Sequence, residues 1–141
     1  MSKPISTLTL LYNKVFLPDS RISFIASLEE NSKVLDIGCG SHSPKRYKSI
    51  NPKIEYYGID IQEFNLDKDD YSVAKKITFV KSEEFDLGID QMGSNFDVVV
   101  SSHNIGHTDD PKNVIRSMMS CLKKDGVLLY GFSFRKIYKF S

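Results

Sequence analysis

Val34-Leu35-Asp36-Ile37-Gly38-Cys39-Gly40 is the stretch whose reading decides the fold. Apolar residues flank one acid and run straight into two glycines separated by a cysteine. So short an apolar run, ending in glycine, reads as a buried strand over 34–37 that breaks into a loop. Downstream, Tyr56 to Ile61 (YYGIDI), Ile77 to Lys81, Phe96 to Ser101 and Val127 to Phe132 read as four further strands. The fourth is nearly all apolar, as expected when helices cover both faces of a parallel sheet. Ser43-Pro44 opens a short helix that Asn51-Pro52 stops. Residues 64–76 are polar, with a weak helix around Tyr71 to Lys75, and Gly88 to Asn95 reads as a loop or short turn. The best-defined helix is capped by Asp110 and opened by Pro111, with Val114, Ile115, Met118, Met119 and Leu122 as its buried stripe. Lys123 and Lys124 suit its C-terminal end, and Gly126 its termination.

Upstream, Leu8, Leu11, Tyr12 and Val15 recur at helical spacing until Pro18, and Asp19 or Ser20 can cap a second helix carrying Ile22, Ile25 and Leu28 on one face. Strands alternating with helices predict an α/β, doubly wound sheet of five parallel strands with right-handed crossovers. The chain divides into a helical segment, 1–31, and a ligand-binding domain, 32–141, forming one unit.

The bulk properties exclude several classes. Nineteen Lys and Arg against eighteen Asp and Glu leave a formal net charge of +1, so no global field draws the chain to nucleic acid or a membrane surface. The longest apolar runs are too short to cross a bilayer, and the N-terminus lacks the apolar region and cleavage site of a signal peptide. Cys39 and Cys121 lie in unrelated contexts, which predicts reduced thiols and a cytoplasmic location.

In an open parallel sheet, ligands sit beyond the carboxyl ends of the strands. Glycines there let a ligand approach the backbone without meeting a β-carbon. Asp60 ends the second strand, 22 residues after Gly38, where a carboxylate can accept both ribose hydroxyls of an adenosine. A dinucleotide needs G-x-G-x-x-G, yet Ser43 stands at the third glycine, and Asp36 would repel a pyrophosphate. S-adenosylmethionine (SAM) carries a cationic amine and a sulfonium, which Asp36 attracts.

VLDIGCG, GIDI, FDVVVSSHNIGH and DPKNVIRSMMSCLKKDGVLLY together resemble the successive motifs of class I SAM-dependent methyltransferases of the type 11-like kind, from about Ser32 to Tyr130. The resemblance implies a Rossmann-like sheet with the strand order 3-2-1-4-5, SAM as cofactor and methyl transfer as the reaction. By it, Asp36, Gly38, Cys39 and Gly40 meet the methionine part, Asp60 holds the ribose, and Ile61 packs on the adenine. Ser82 and Glu83 line the adenine edge, and Ser101 and Ser102 lie near the methyl group.

Some positions depart from the pattern. Ser82 stands where the family often carries Asp. His103-Asn104-Ile105-Gly106-His107 has glycine where relatives with H-x-x-E-H have an acid. Two strands that the family places after the fifth do not follow, so the expectation is a truncated domain with an exposed, apolar fifth-strand edge and a tendency to self-associate.

His103 and His107 are the catalytic candidates, as general bases; the competing reading is that they cap and orient the loop after the fourth strand. No metal is expected, because these histidines and the two cysteines show no familiar ligand spacing. The expected activity is O- or N-methylation of a small molecule or sugar. A SAM-binding protein without catalysis and a dinucleotide or nucleotide-sugar module remain as alternatives.

Overall fold

The computed structural model describes residues 20–101 and 110–130. The strand that opens the deciding stretch, β1 (Lys33–Ile37), is central. It pairs in parallel with β2 (Glu55–Asp60) on one side and β4 (Phe96–Ser101) on the other. β3 (Lys76–Phe79) follows β2, and β5 (Leu122–Tyr130) follows β4, both parallel. The order is β3-β2-β1-β4-β5, as expected.

Strand alternation divides the core in two, because successive side chains point to opposite faces. One face carries Val34, Tyr56, Val98, Val100 and Leu129, packed with Phe24 and Ile25 from α1 (Ser20–Ala26) and Tyr47 from α2 (Ser43–Ile50). The other carries Leu35, Ile37, Ile59 and Val99, packed with residues of α4 (Phe85–Asp90) and α5 (Pro111–Ser120). The remaining helix, α3 (Lys68–Val73), lies between β2 and β3. Phe24 and Ile25 share a cluster with the sheet residues, so α1 is part of this core.

Local chemistry explains several helix boundaries. Asp110 accepts the Asn113 N–H, and Pro111 opens α5. Asn51 ends α2, and its buried Nδ2 donates to the Ile25 and Leu28 carbonyls at 3.0 Å each. Those bonds tie the end of α1 to the sheet domain.

Several expected boundaries move. α1 buries Phe24 and Ile25, while Ile22 is 51% exposed, so the inward face is turned from the expected one. Residues 82–90, read in part as loop, form a 3-10 turn (Ser82–Glu84) and α4. Gly88 is no breaker there, since a β-carbon would stand 2.8 Å from Val80 Cγ1, and glycine lets α4 close onto β3. α3 starts three residues earlier than the helix expected at 71–75, because Asp67 and Asp70 form a capping box.

α5 ends at Ser120, so Leu122, Lys123 and Lys124 belong to β5. Leu122 pairs with Phe96, and regular pairing resumes only at Val127 with Val98. The intervening residues bulge, with Asp125 at φ 69° and Lys123 ion-paired to Asp97. Gly126 therefore packs inside this bulge, against the Phe96 carbonyl, instead of ending the helix. Among the described residues β5 ends the sheet order, and its bulge with Lys123, Lys124 and Asp125 precedes the apolar run that starts at Val127.

Gly58 faces Cys39 across β1 and β2. A β-carbon on it would lie 2.7 Å from Cys39 Cβ and 2.8 Å from Sγ. Gly58→Ala should destabilise the fold by about 1–3 kcal/mol through overpacking. Denaturant titration checks this, and adding Cys39→Gly should restore part of the loss. An unchanged midpoint in Gly58→Ala would show that the contact relaxes freely.

Candidate cofactor site

Parallel strands that start on one edge of a sheet also end on one edge. The register places Ile37, Ile59 and Ser101 side by side, with Asp60 opposite Phe79. Asp36 and the glycine loop, Asp60 and Ile61, Ser82 and Glu83, and Ser101 thus gather at the carboxyl edge. Ser102, His103 and His107 lie outside the described residues.

Asp36 is the least ordinary residue on this edge. It is 0% exposed on an otherwise apolar face. Its Oδ2 accepts a very short hydrogen bond from the Tyr56 hydroxyl, while Oδ1 is buried with no partner among the described residues. Burial pushes its pKa up to about 7; the Tyr56 bond and the Arg46 charge oppose the shift, and the nearby Asp60 carboxylate adds to it. A buried carboxylate with one oxygen lacking a hydrogen bond among the described residues is costly to keep charged without a partner.

The loop that follows is held open by its backbone. Gly38 has φ 84°, and its N–H donates to the Ile59 carbonyl at 2.8 Å. Only glycine adopts that conformation without strain. Gly40 has a different duty. A β-carbon there would meet the Phe64 carbonyl at 3.0 Å, so Gly40 makes room for the segment after β2. Cys39 turns away from the edge into the core against Gly58, and burial raises its pKa. Its thiol is a core filler, so any ligand contact from Cys39 is through its backbone.

Asp60 is half-buried, and its Oδ1 accepts the Ile61 N–H at 2.7 Å. Ile61 is 45% exposed and Phe64 54% exposed, which puts two apolar side chains on the surface next to the carboxylate. Ser82 and Glu83 are exposed on the turn after β3, and Ser101 is buried at the end of β4.

Residues not foreseen from the sequence join this edge. Tyr56 anchors Asp36, and Phe64 backs Gly40. His42, Asp67 and Asp70 bring ligand-type atoms within 4.8 Å of one another. Their oxygens are already engaged, since Lys45 Nζ sits 2.6 Å from Asp67 Oδ2, and Asp70 accepts bonds from His42 Nδ1, Lys45 N and Asp67 N. The signals were present: an aromatic in a polar stretch, and Asp67-x-x-Asp70 as a capping-box spacing.

An open parallel sheet with acids and a left-handed glycine at its central strand ends defines a Rossmann-like ligand-binding domain. The family described as a methyltransferase domain matches residues 12–131, and the chain belongs to that family. A malonyl-[acyl-carrier protein] O-methyltransferase of Bacillus anthracis is 29% identical over 108 residues, covering 74% of this chain and 38% of that protein. This chain thus spans well under half the length of that relative. Among solved structures, a TehB-like SAM-dependent methyltransferase from Corynebacterium glutamicum matches with a TM-score of 0.57 at 18% identity, over 84% of this chain and 64% of that one. MycE methyltransferase of the mycinamycin biosynthetic pathway, in complex with Mg, S-adenosylhomocysteine (SAH) and mycinamycin VI, matches with a TM-score of 0.54 at 23% identity, over 87% of this chain and 33% of that one. These structures share the fold. No helix among the described residues is long and apolar enough to cross a membrane.

Proposed function

We propose that this chain binds SAM at the carboxyl edge of β1, β2 and β3 and serves methyl transfer to oxygen or nitrogen of a small molecule. The observation that carries the reading is Asp36, a buried acid with one unsatisfied oxygen beside a left-handed glycine. That pairing suits a cationic amino-acid moiety and disfavours a pyrophosphate. SAM is the cofactor of the TehB-like neighbour by name, and MycE was solved with SAH.

The bound cofactor would supply a methyl group on a sulfonium, already activated for in-line displacement. The chain's own residues then bind and orient. Asp36 would balance the charge of the methionine amine from beneath the turn, the Gly38 turn would admit the backbone of that moiety, and Asp60 would accept from the ribose hydroxyls. Ile61 and Phe64 offer apolar surface to the adenine, with Ser82 and Glu83 at its edge. Ser101 ends β4, and by the family resemblance it and Ser102 would lie near the methyl group. Holding two reactants in line is the main contribution such a site makes to rate. A base is needed only where the acceptor must lose a proton, and His103 and His107 are the candidates for that role.

A small acceptor is supported by the mycinamycin VI in complex with MycE, and transfer to oxygen by the name of the Bacillus anthracis relative, a malonyl-[acyl-carrier protein] O-methyltransferase. A sugar hydroxyl fits the same chemistry.

Calorimetry with SAH tests the site. Asp60→Ala should weaken binding by about 1.5–3 kcal/mol, the range for hydrogen bonds to a charged group. Unchanged affinity in that variant would remove the ribose assignment. Turnover of labelled SAM with candidate acceptors then separates an enzyme from a protein that only binds.

A further inference from the structure

The Gly38–His42 turn is unusual in a second way. Ser41 and His42, neither of them glycine, both sit in the left-handed region, at φ 56° and 59°. Such residues carry strain and persist only where their surroundings hold them. His42 is also the N-cap of α2, yet its side chain makes no capping bond there. Something else satisfies that helix start.

The structure supplies it from 25 or more residues downstream in the sequence. Asp70, 0% exposed, accepts the Lys45 N–H at 3.2 Å with Oδ1, so it caps the first turn of α2 from another helix. Its Oδ2 lies 2.7 Å from His42 Nδ1 and accepts the Asp67 N–H at 2.9 Å, completing the capping box of its own helix, α3. One carboxylate thereby serves two helix starts and pins the strained histidine. The segment between β2 and α3 reinforces it: the Ser41 N–H donates to the Phe64 carbonyl at 2.9 Å and the His42 N–H to the Asn65 carbonyl at 3.0 Å. Lys45 Nζ closes the arrangement on Asp67.

We infer that Asp70 is a positioning residue for the cofactor loop. It acts through His42 and the Lys45 amide to keep the Gly38–His42 turn in its bound-ready shape, though it is buried away from the ligand. The inference rests on the proposed placement of SAM at this turn. Preformed geometry strengthens binding because the ordering is complete before the ligand arrives.

Two measurements test it on the whole chain. The first is amide hydrogen exchange at Ser41 and His42 without ligand. Asp70→Ala should reduce their protection at least tenfold, while amides in β1 and β4 stay within threefold of the wild type. The second is SAH affinity by calorimetry at a temperature where every variant is folded. Asp70→Ala should raise the Kd at least tenfold. In His42→Gly, a glycine holds φ 59° unaided, so adding Asp70→Ala to it should raise the Kd less than threefold. If Asp70→Ala does not fold, Asp70→Asn, which keeps an acceptor oxygen but loses the charge, should show the same pattern at smaller size. Unchanged local protection and unchanged Kd in a folded Asp70 variant would overturn the inference. So would an Asp70→Ala effect as large in the His42→Gly background as in the wild type. If the wild-type chain does not bind SAH, the cofactor reading fails, and the exchange experiment still decides whether Asp70 holds the turn.

Discussion

Asp36→Asn is expected to weaken SAH binding while gaining stability at alkaline pH. Asp36 is fully buried, and burial raises its pKa from 3.8 to about 7. A raised carboxylate pKa means that the unfolded chain ionises first as pH increases. Stability is therefore lost between about pH 4 and pH 7, and the whole penalty is present above pH 7. Asparagine removes the charge, and its oxygen still accepts the Tyr56 hydroxyl. Its amide nitrogen meets the position of the unpartnered Oδ1, which costs about 1–3 kcal/mol when no acceptor faces it. The net expectation is a gain of about 1–3 kcal/mol at pH 8, shrinking to nothing or reversing near pH 4. Binding should move the other way: losing the charge opposite the amine removes about 1.5–3 kcal/mol of affinity. Wild-type affinity should also fall as pH drops below about 7, since protonation takes away the same partner. Melting temperatures at pH 4.5, 6 and 8, with SAH titrations alongside, decide the matter. A stability difference that does not change with pH would show that the buried charge is not the cause.

Gly38→Val should abolish detectable SAH binding and also weaken the fold. At φ 84° a β-branched residue is a marked outlier, and the strain is of order 1–3 kcal/mol. The Gly38 N–H is tied to the Ile59 carbonyl, so the chain cannot relax there without losing that bond. Gly38→Ala pays the backbone strain with a smaller side chain and should lie between valine and the wild type in both properties. Denaturant melts give the stability order, and calorimetry gives the affinities. Valine binding within threefold of the wild type would place the ligand elsewhere on the sheet edge.

These expectations show where sequence and structure divide. The five strands were legible because strand signals are local, and their order because the motifs resemble those of a known family. Apolar runs such as Val98 to Val100 and glycine punctuation such as Gly38 and Gly40 carry them without reference to the rest of the chain. That Asp36, Gly38 and Asp60 share one edge was legible too, since parallel strands necessarily bring their carboxyl ends together. α4 was not legible. Its six residues include Gly88, and what makes them helical is Phe85 and Ile89 packing into the core with Val80 beneath the glycine. The length of α5 was misread because Lys123, Lys124 and Gly126 form a plausible helix end in isolation, while pairing of Leu122 with Phe96 commits them to β5.

By itself, then, the sequence determined the strands and the acid-glycine turn, because periodicity and turn chemistry act between neighbours along the chain, while the strand order followed from the resemblance. Only the tertiary structure decided how that edge works. Buried Asp36 takes its hydrogen bond from Tyr56, 20 residues away. Gly40 answers to Phe64, Cys39 to Gly58, and the strained His42 to Asp70. Each of these roles arises from a partner brought close by the crossovers, and a side chain's charge state, strain and packing are set by what folding places against it.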